Sequence, residues 1–87
     1  MVLVLLPSLL ATEAGGRARF DVPAECVGDA LRALPIVDLL LDERGDLRPL
    51  VNVYVDGVDV RDRGGLDAQL TGDATVRVVA AIAGGST

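Results

Sequence analysis

Leu50-Val51-Asn52-Val53-Tyr54-Val55-Asp56-Gly57-Val58-Asp59-Val60 is the stretch on which the fold turns. Val51, Val53 and Val55 alternate with Asn52, Tyr54 and Asp56, the period of two that belongs to a strand with one buried face. Asp56-Gly57 is a two-residue hairpin signal, and Val58 and Val60 resume the alternation beyond it. The chain therefore contains antiparallel sheet, and its apolar face needs a second layer to cover it.

That layer stands upstream. Val27, Ala30, Leu31 and Leu34 recur at i, i+3, i+4 and i+7, which places them on one face of a helix, and Pro35 ends or kinks it. Cys26 falls at the N-cap, with Glu25 and Asp29 near the positive end of the helix dipole. Ile36, Leu39 and Leu40 predict a further helical turn or two within residues 36–43, before Gly45. Arg17-Ala18-Arg19-Phe20-Asp21-Val22 alternates as a half-buried strand, and Val2 to Leu6 reads as a buried strand ended by Pro7. Residues 8–16 are expected to be a loop joining these two as a hairpin through Gly15-Gly16. Downstream, residues 66–70 predict a short turn or 3₁₀ segment and Thr71-Gly72-Asp73 another turn. A last strand runs over residues 75–82, with Val76 and Val78 inward and Arg77, Val79 and Ala81 outward. The chain is too short for crossovers of the Rossmann kind, which take about 30 residues each. The expectation is an α+β fold, with a mixed sheet of four to five strands packed on one main helix.

Composition narrows the chemistry. The 87 residues are 51% hydrophobic and 24% charged, enough for one small core and no second one. There is no His, no Trp and no Lys; all eight basic residues are Arg, and Cys26 is the single cysteine. This excludes Ser-His and Cys-His dyads, imidazole metal sites, Schiff bases, phosphate loops of the GxxxxGK type, internal disulfides and CxxC pairs. Thirteen acidic residues give a net charge of -5, the wrong sign for a nucleic-acid binder. The apolar run from Met1 to Ala11 lacks the positive start of a secretion signal and falls short of the roughly 20 residues that span a bilayer. A cytoplasmic protein with no membrane or nucleic-acid partner is expected.

Few groups are left to carry function. Cys26 is either a thiol activated by a helix N-terminus or a small, partly buried apolar residue, and the second reading is preferred. Asp42, Glu43 and Asp46 surround Gly45 without the ligand spacing of a calcium loop, so they read as a solvated loop. No metal site is expected. The remaining candidate is Ala83-Gly84-Gly85-Ser86-Thr87. A Gly-Gly pair near a terminus is commonly frayed chain, yet glycine without a Cβ can also lie extended in a channel too narrow for other residues. From Val79 to Gly85 the chain reaches about 20 Å.

Three blocks in this order resemble the ubiquitin-like sulfur carriers of the ThiS/MoaD type, most closely the CysO-like carriers of cysteine biosynthesis. They are Leu6-Pro7-Ser8-Leu9-Leu10 with Gly15-Gly16; Val51 through Arg61 with Gly64-Gly65-Leu66; and Gly72-Asp73 leading through Val76 to Ala83-Gly84-Gly85. The resemblance implies a β-grasp domain over residues 1–83 and a tail over residues 84–87. It further implies that an E1-like enzyme uses ATP to adenylate the Gly85 carboxylate and that a sulfur donor converts it to a thiocarboxylate. The sulfur then passes to a synthase, cysteine-synthase-like or other. The carrier is then a co-substrate, not an enzyme, and binds no cofactor itself. In such families the outward face of the last strand docks to partners, which implicates Val79 and Ala81, with Tyr54 beside them.

The sequence departs from the family twice. Ser86 and Thr87 follow the second glycine, and a Gly85 held in a peptide bond has no carboxylate to activate. Cleavage between Gly85 and Ser86 by a JAMM-type metalloprotease is therefore expected. Ala80-Ala81 stands where many relatives carry proline, leaving a less rigid exit for the tail. Without Lys, the chain cannot form side-chain isopeptide bonds to copies of itself. The acidic composition suggests a basic partner channel. The competing reading is a non-catalytic interaction module or small regulatory subunit whose tail is never processed.

Overall fold

A computed structural model describes residues 1–80. Five strands form one sheet: β1 (Val2–Leu5), β2 (Arg19–Val22), β3 (Val51–Val55), β4 (Val58–Asp59) and β5 (Thr75–Ala80). Their lateral order is β2-β1-β5-β3-β4. Only the central pair, β1 and β5, runs parallel; the other neighbours are antiparallel. A parallel pair needs a crossover, and the chain between β1 and β5 supplies it with the helix that covers the sheet.

That helix is α2 (Val27–Arg32), preceded in the chain by α1 (Ser8–Glu13) and followed by α3 (Val37–Leu40). Val27, Ala30 and Leu31 have no measurable exposure, and they meet the inward residues of the two central strands and β3, among them Val4, Val53, Val76 and Val78. The anticipated helix face and strand faces are thus the core. β-branched residues line the sheet, where their stiff side chains fit the pleat, while Leu and Ala line the helix. Cys26 is the N-cap of α2, with extended backbone and no side-chain capping bond, and Pro35 follows the C-cap at Ala33. Asp29 pairs with Arg32 at 3.1 Å on the solvent side, an exposed contact that contributes little. Among the described residues no buried side chain is polar or charged, and no helix is long and apolar enough to cross a membrane.

Three segments differ from the sequence expectation. Residues 8–16 are not simply a loop, since residues 8–13 form α1. Pro7, extended at φ -70°, ψ 161°, opens the helix, and Leu10, Ala11 and Ala14 bury its inner side. Gly16 then donates to the Ala11 carbonyl at 2.8 Å, and the positive φ of Gly15 and Gly16 swings the chain back toward β2. The hairpin of β1 and β2 exists, but a helix fills its connection. Val60 likewise is not a strand residue. Asp59 accepts a hydrogen bond from the Arg61 amide at 2.9 Å, which caps a 3₁₀ turn over Val60–Arg63 and ends β4 after two residues. A second 3₁₀ turn, Gly65–Asp67, begins one residue ahead of the expected segment.

The decisive hairpin has the expected turn. Asp56 and Gly57 both have positive φ, 49° and 88°, as a type I′ turn demands. The Asp56 carboxylate also accepts from the Thr75 amide at 3.1 Å, while the Asp56 amide donates to the Thr75 carbonyl at 3.0 Å, so the turn is tied to the start of β5. A Cβ at Gly57 would meet nothing within 4 Å, leaving backbone strain as the sole cost of replacing it. Gly57→Ala is expected to destabilise by about 1–2 kcal/mol, the cost of a left-handed L-residue. Each kcal/mol lowers Tm by about 4–8 °C in a domain of this size, and thermal melts check it.

Candidate functional site

The sheet has one face against α2 and one in solvent, and pleat parity decides which residues occupy the latter. On β5 these are Thr75, Arg77 and Val79; on β3, Asn52 and Tyr54; on β1, Leu3 and Leu5; on β2, Arg19 and Asp21. Val79 is 38% exposed and stands directly opposite Asn52, while Tyr54 stands opposite Arg77. Val79 and Tyr54 therefore share a face on neighbouring strands, one diagonal step apart.

Register also decides how the chain leaves the sheet. The pairing of β1 with β5 ends at Leu5 and Arg77, because Pro7 cannot continue the ladder and the chain turns into α1. The pairing of β3 continues to Ala80, opposite Val51. The last residues of β5 are thus held on one side only, and on the other they border a shallow groove lined by Leu5, Leu6, Pro7, Arg77, Val78 and Val79. Ala81, Ala83, Gly84, Gly85 and Ser86 lie outside the described residues.

One residue near this face was not singled out from sequence. The Arg61 guanidinium donates to Asn52 Oδ1 at 2.7 Å and to the Val51 carbonyl at 2.9 Å, which fixes the Asn52 amide beside Val79. Asn52 could have been found, since it shares the parity of Tyr54. Arg61 could not, because its reach depends on the 3₁₀ turn that folds it back over β3.

The other candidates have structural duties. Cys26 is half-buried and pairs with Gln69 in an isolated bridge, with Val27 donating to the Ala68 carbonyl at 3.0 Å and Leu70 to the Glu25 carbonyl at 2.9 Å. It follows β2, whose end at Val22 pairs with Val2, so it lies toward the end of the sheet away from Ala80. Asp42 accepts from the amides of Asp46 at 3.0 Å and Arg44 at 2.9 Å, closing its own loop. The Asp46 amide is the main reason that its carboxyl titrates below the usual carboxylate range. Among the described residues no three potential ligands gather as a metal site would require.

No family model matches the chain. Sulfur carrier protein CysO of Mycobacterium tuberculosis is 31% identical to it over 91 residues, covering 97% of this chain and 98% of that protein. The crystal structure of Mycobacterium tuberculosis CysO superposes with a TM-score of 0.84 at 27% identity, over 94% of this chain and 100% of that one. A chain of the crystal structure of the Amycolatopsis orientalis BexX/CysO complex superposes with a TM-score of 0.82 at 29% identity, over 95% of this chain and 98% of that one.

Proposed function

The chain belongs to the ubiquitin-like sulfur-carrier family that includes CysO, and from that membership we propose that it delivers sulfur through a thiocarboxylate formed at Gly85. Its fold is the β-grasp of those carriers, and it is a protein co-substrate rather than an enzyme. A chain without His or Lys has no use for them if the reactive group is a main-chain carboxyl supplied to other proteins.

The proposed cycle begins with cleavage after Gly85 by a JAMM-type metalloprotease. The freed carboxylate attacks the α-phosphorus of ATP in an E1-like enzyme, and pyrophosphate leaves. A donor at the sulfide level then attacks the acyl carbon, AMP leaves, and the C–O bond to phosphate is replaced by a C–S bond. The resulting thiocarboxylate is the nucleophile for a sulfur-accepting synthase in cysteine formation or in a more specialised sulfur metabolite. Because the proposed activation consumes ATP, this reading has the chain work in the cytoplasm. The Amycolatopsis orientalis complex of BexX with CysO supports a protein partner for the carrier. Val79, Tyr54 and Ala81 form the docking face in this reading.

The observation that carries the proposal is the relationship to CysO over nearly the whole of both chains. Intact-mass analysis of the protein from its native host tests it. Loss of Ser86-Thr87, together with the mass change of one oxygen replaced by sulfur, is the expected result. A mass retaining both residues, with no activation by any E1-like enzyme of the host, overturns it and favours the unprocessed interaction module.

A further inference from the structure

The registers of all four strand pairs line up one row of residues across the solvent face. Arg19 pairs with Leu5, Leu5 with Arg77, Arg77 with Tyr54, and Tyr54 with Asp59. Leu5 is half-buried, and an exposed arginine stands on each side of it, although the chain as a whole carries a net charge of -5. With strands about 4.8 Å apart, the two arginine backbones are about 10 Å apart. The acids nearby are otherwise engaged or displaced: Asp59 caps the Arg61 amide, Asp56 binds the Thr75 amide, and Asp21 sits one row farther from Ala80. Arg32 with Asp29 is the sole ion pair among the described residues, so neither Arg19 nor Arg77 has a carboxylate partner among them.

We propose that this face docks onto a protein surface bearing two carboxylates, one on each side of an apolar side chain, with Arg19 and Arg77 gripping the carboxylates and Leu5 and Val79 covering the apolar group. The inference rests on the carrier reading, because it names the chemistry of the surface that receives the docking face. A partner that buries Leu5 and Val79 must also strip water from the flanking guanidinium groups. That costs free energy unless charge-assisted hydrogen bonds replace the water, and the guanidinium fork is matched best by a carboxylate. The local charge thus reverses what the composition suggested: the chain is acidic overall, yet its docking row asks for an acidic partner.

The test uses the chain ending at Gly85 and the adenylating enzyme of the same organism, with the dissociation constant measured between low and physiological salt. Wild-type binding is expected to weaken as salt rises. The double variant Arg19→Glu/Arg77→Glu is expected to bind at least about tenfold more weakly and with a shallower salt dependence, as lost charge pairing demands. Arg44→Glu makes the same kind of charge change in the loop around Gly45, away from this face, and is expected to leave affinity and sulfur loading unchanged. Circular dichroism confirms that each variant is folded, and Arg19→Gln/Arg77→Gln gives the same direction of change without reversed charge. Double-variant binding within about twofold of wild type, or an equal loss in Arg44→Glu, overturns the proposal. So does a wild-type chain that pairs with a second copy of itself through this row. If the wild-type chain binds but never gains sulfur, the carrier reading fails independently of the docking row.

Discussion

A chain ending at Gly85 is expected to gain one sulfur in place of one oxygen when given the E1-like enzyme, ATP and a sulfide-level donor, whereas a chain retaining Ser86-Thr87 emerges at its starting mass. The difference is all or none because it is one of functional group. A free carboxylate carries a charged oxygen that can attack phosphorus; the same carbonyl in the Gly85–Ser86 peptide bond has its electron pair delocalised from nitrogen and no anionic oxygen to offer. The extension therefore blocks the first step rather than slowing it. Intact mass spectrometry of the two chains, side by side with the same enzyme preparation, reads the result directly. Adenylation of the longer chain without cleavage would show that Gly85 is not the reacting residue.

Leu31→Ala is the substitution expected to damage the fold most. Leu31 has no measurable exposure and stands on the face of α2 that closes the sheet. Truncating a buried leucine costs about 2–5 kcal/mol through lost transfer free energy and the cavity left behind. A chain of 87 residues has about 4–13 kcal/mol to lose. The variant is therefore expected to be marginally folded or unfolded at ordinary temperature, with a urea midpoint shifted far toward zero. Leu39, in the adjacent α3, is 42% exposed, and Leu39→Ala is expected to fall within about 0.5 kcal/mol of wild type. Equal losses in the two variants would mean that α2 does not close the core as described.

The elements differ, for physical reasons, in how far local pattern specifies them. Residues 51–57 were legible because alternation of Val with Asn and Tyr, followed by Asp56-Gly57, satisfies the strand period and the turn chemistry together. The helix face of Val27, Ala30 and Leu31 was legible for the same kind of reason. α1 leaves a weak local signal because its buried residues, Leu10 and Ala11, are few and lie in a run ended by Gly15-Gly16, where turn signals dominate. β4 is shorter than its alternation suggests because the capping of Arg61 by Asp59 starts a 3₁₀ turn at Val60. On the solvent face of the sheet, parity alone groups Val79, Tyr54 and Asn52. The bond from Arg61 to Asn52 and the alignment of Arg19, Leu5 and Arg77 are contacts between segments far apart in the chain, and no local pattern encodes them.

Side-chain period and residue type are local properties, and they suffice for which faces are buried, where the decisive hairpin turns, and which chemistries are absent. The sequence also carries the Gly84-Gly85 motif and, in its ordered blocks, the resemblance to sulfur carriers. Closure of the core adds that β1 and β5 are parallel central neighbours, that β3 supports the last strand through Ala80, and that two arginines bracket Leu5 in an acidic chain. Period two assigns a side chain to a face but says nothing of which strand lies alongside, and lateral order and register are settled only when the whole core closes.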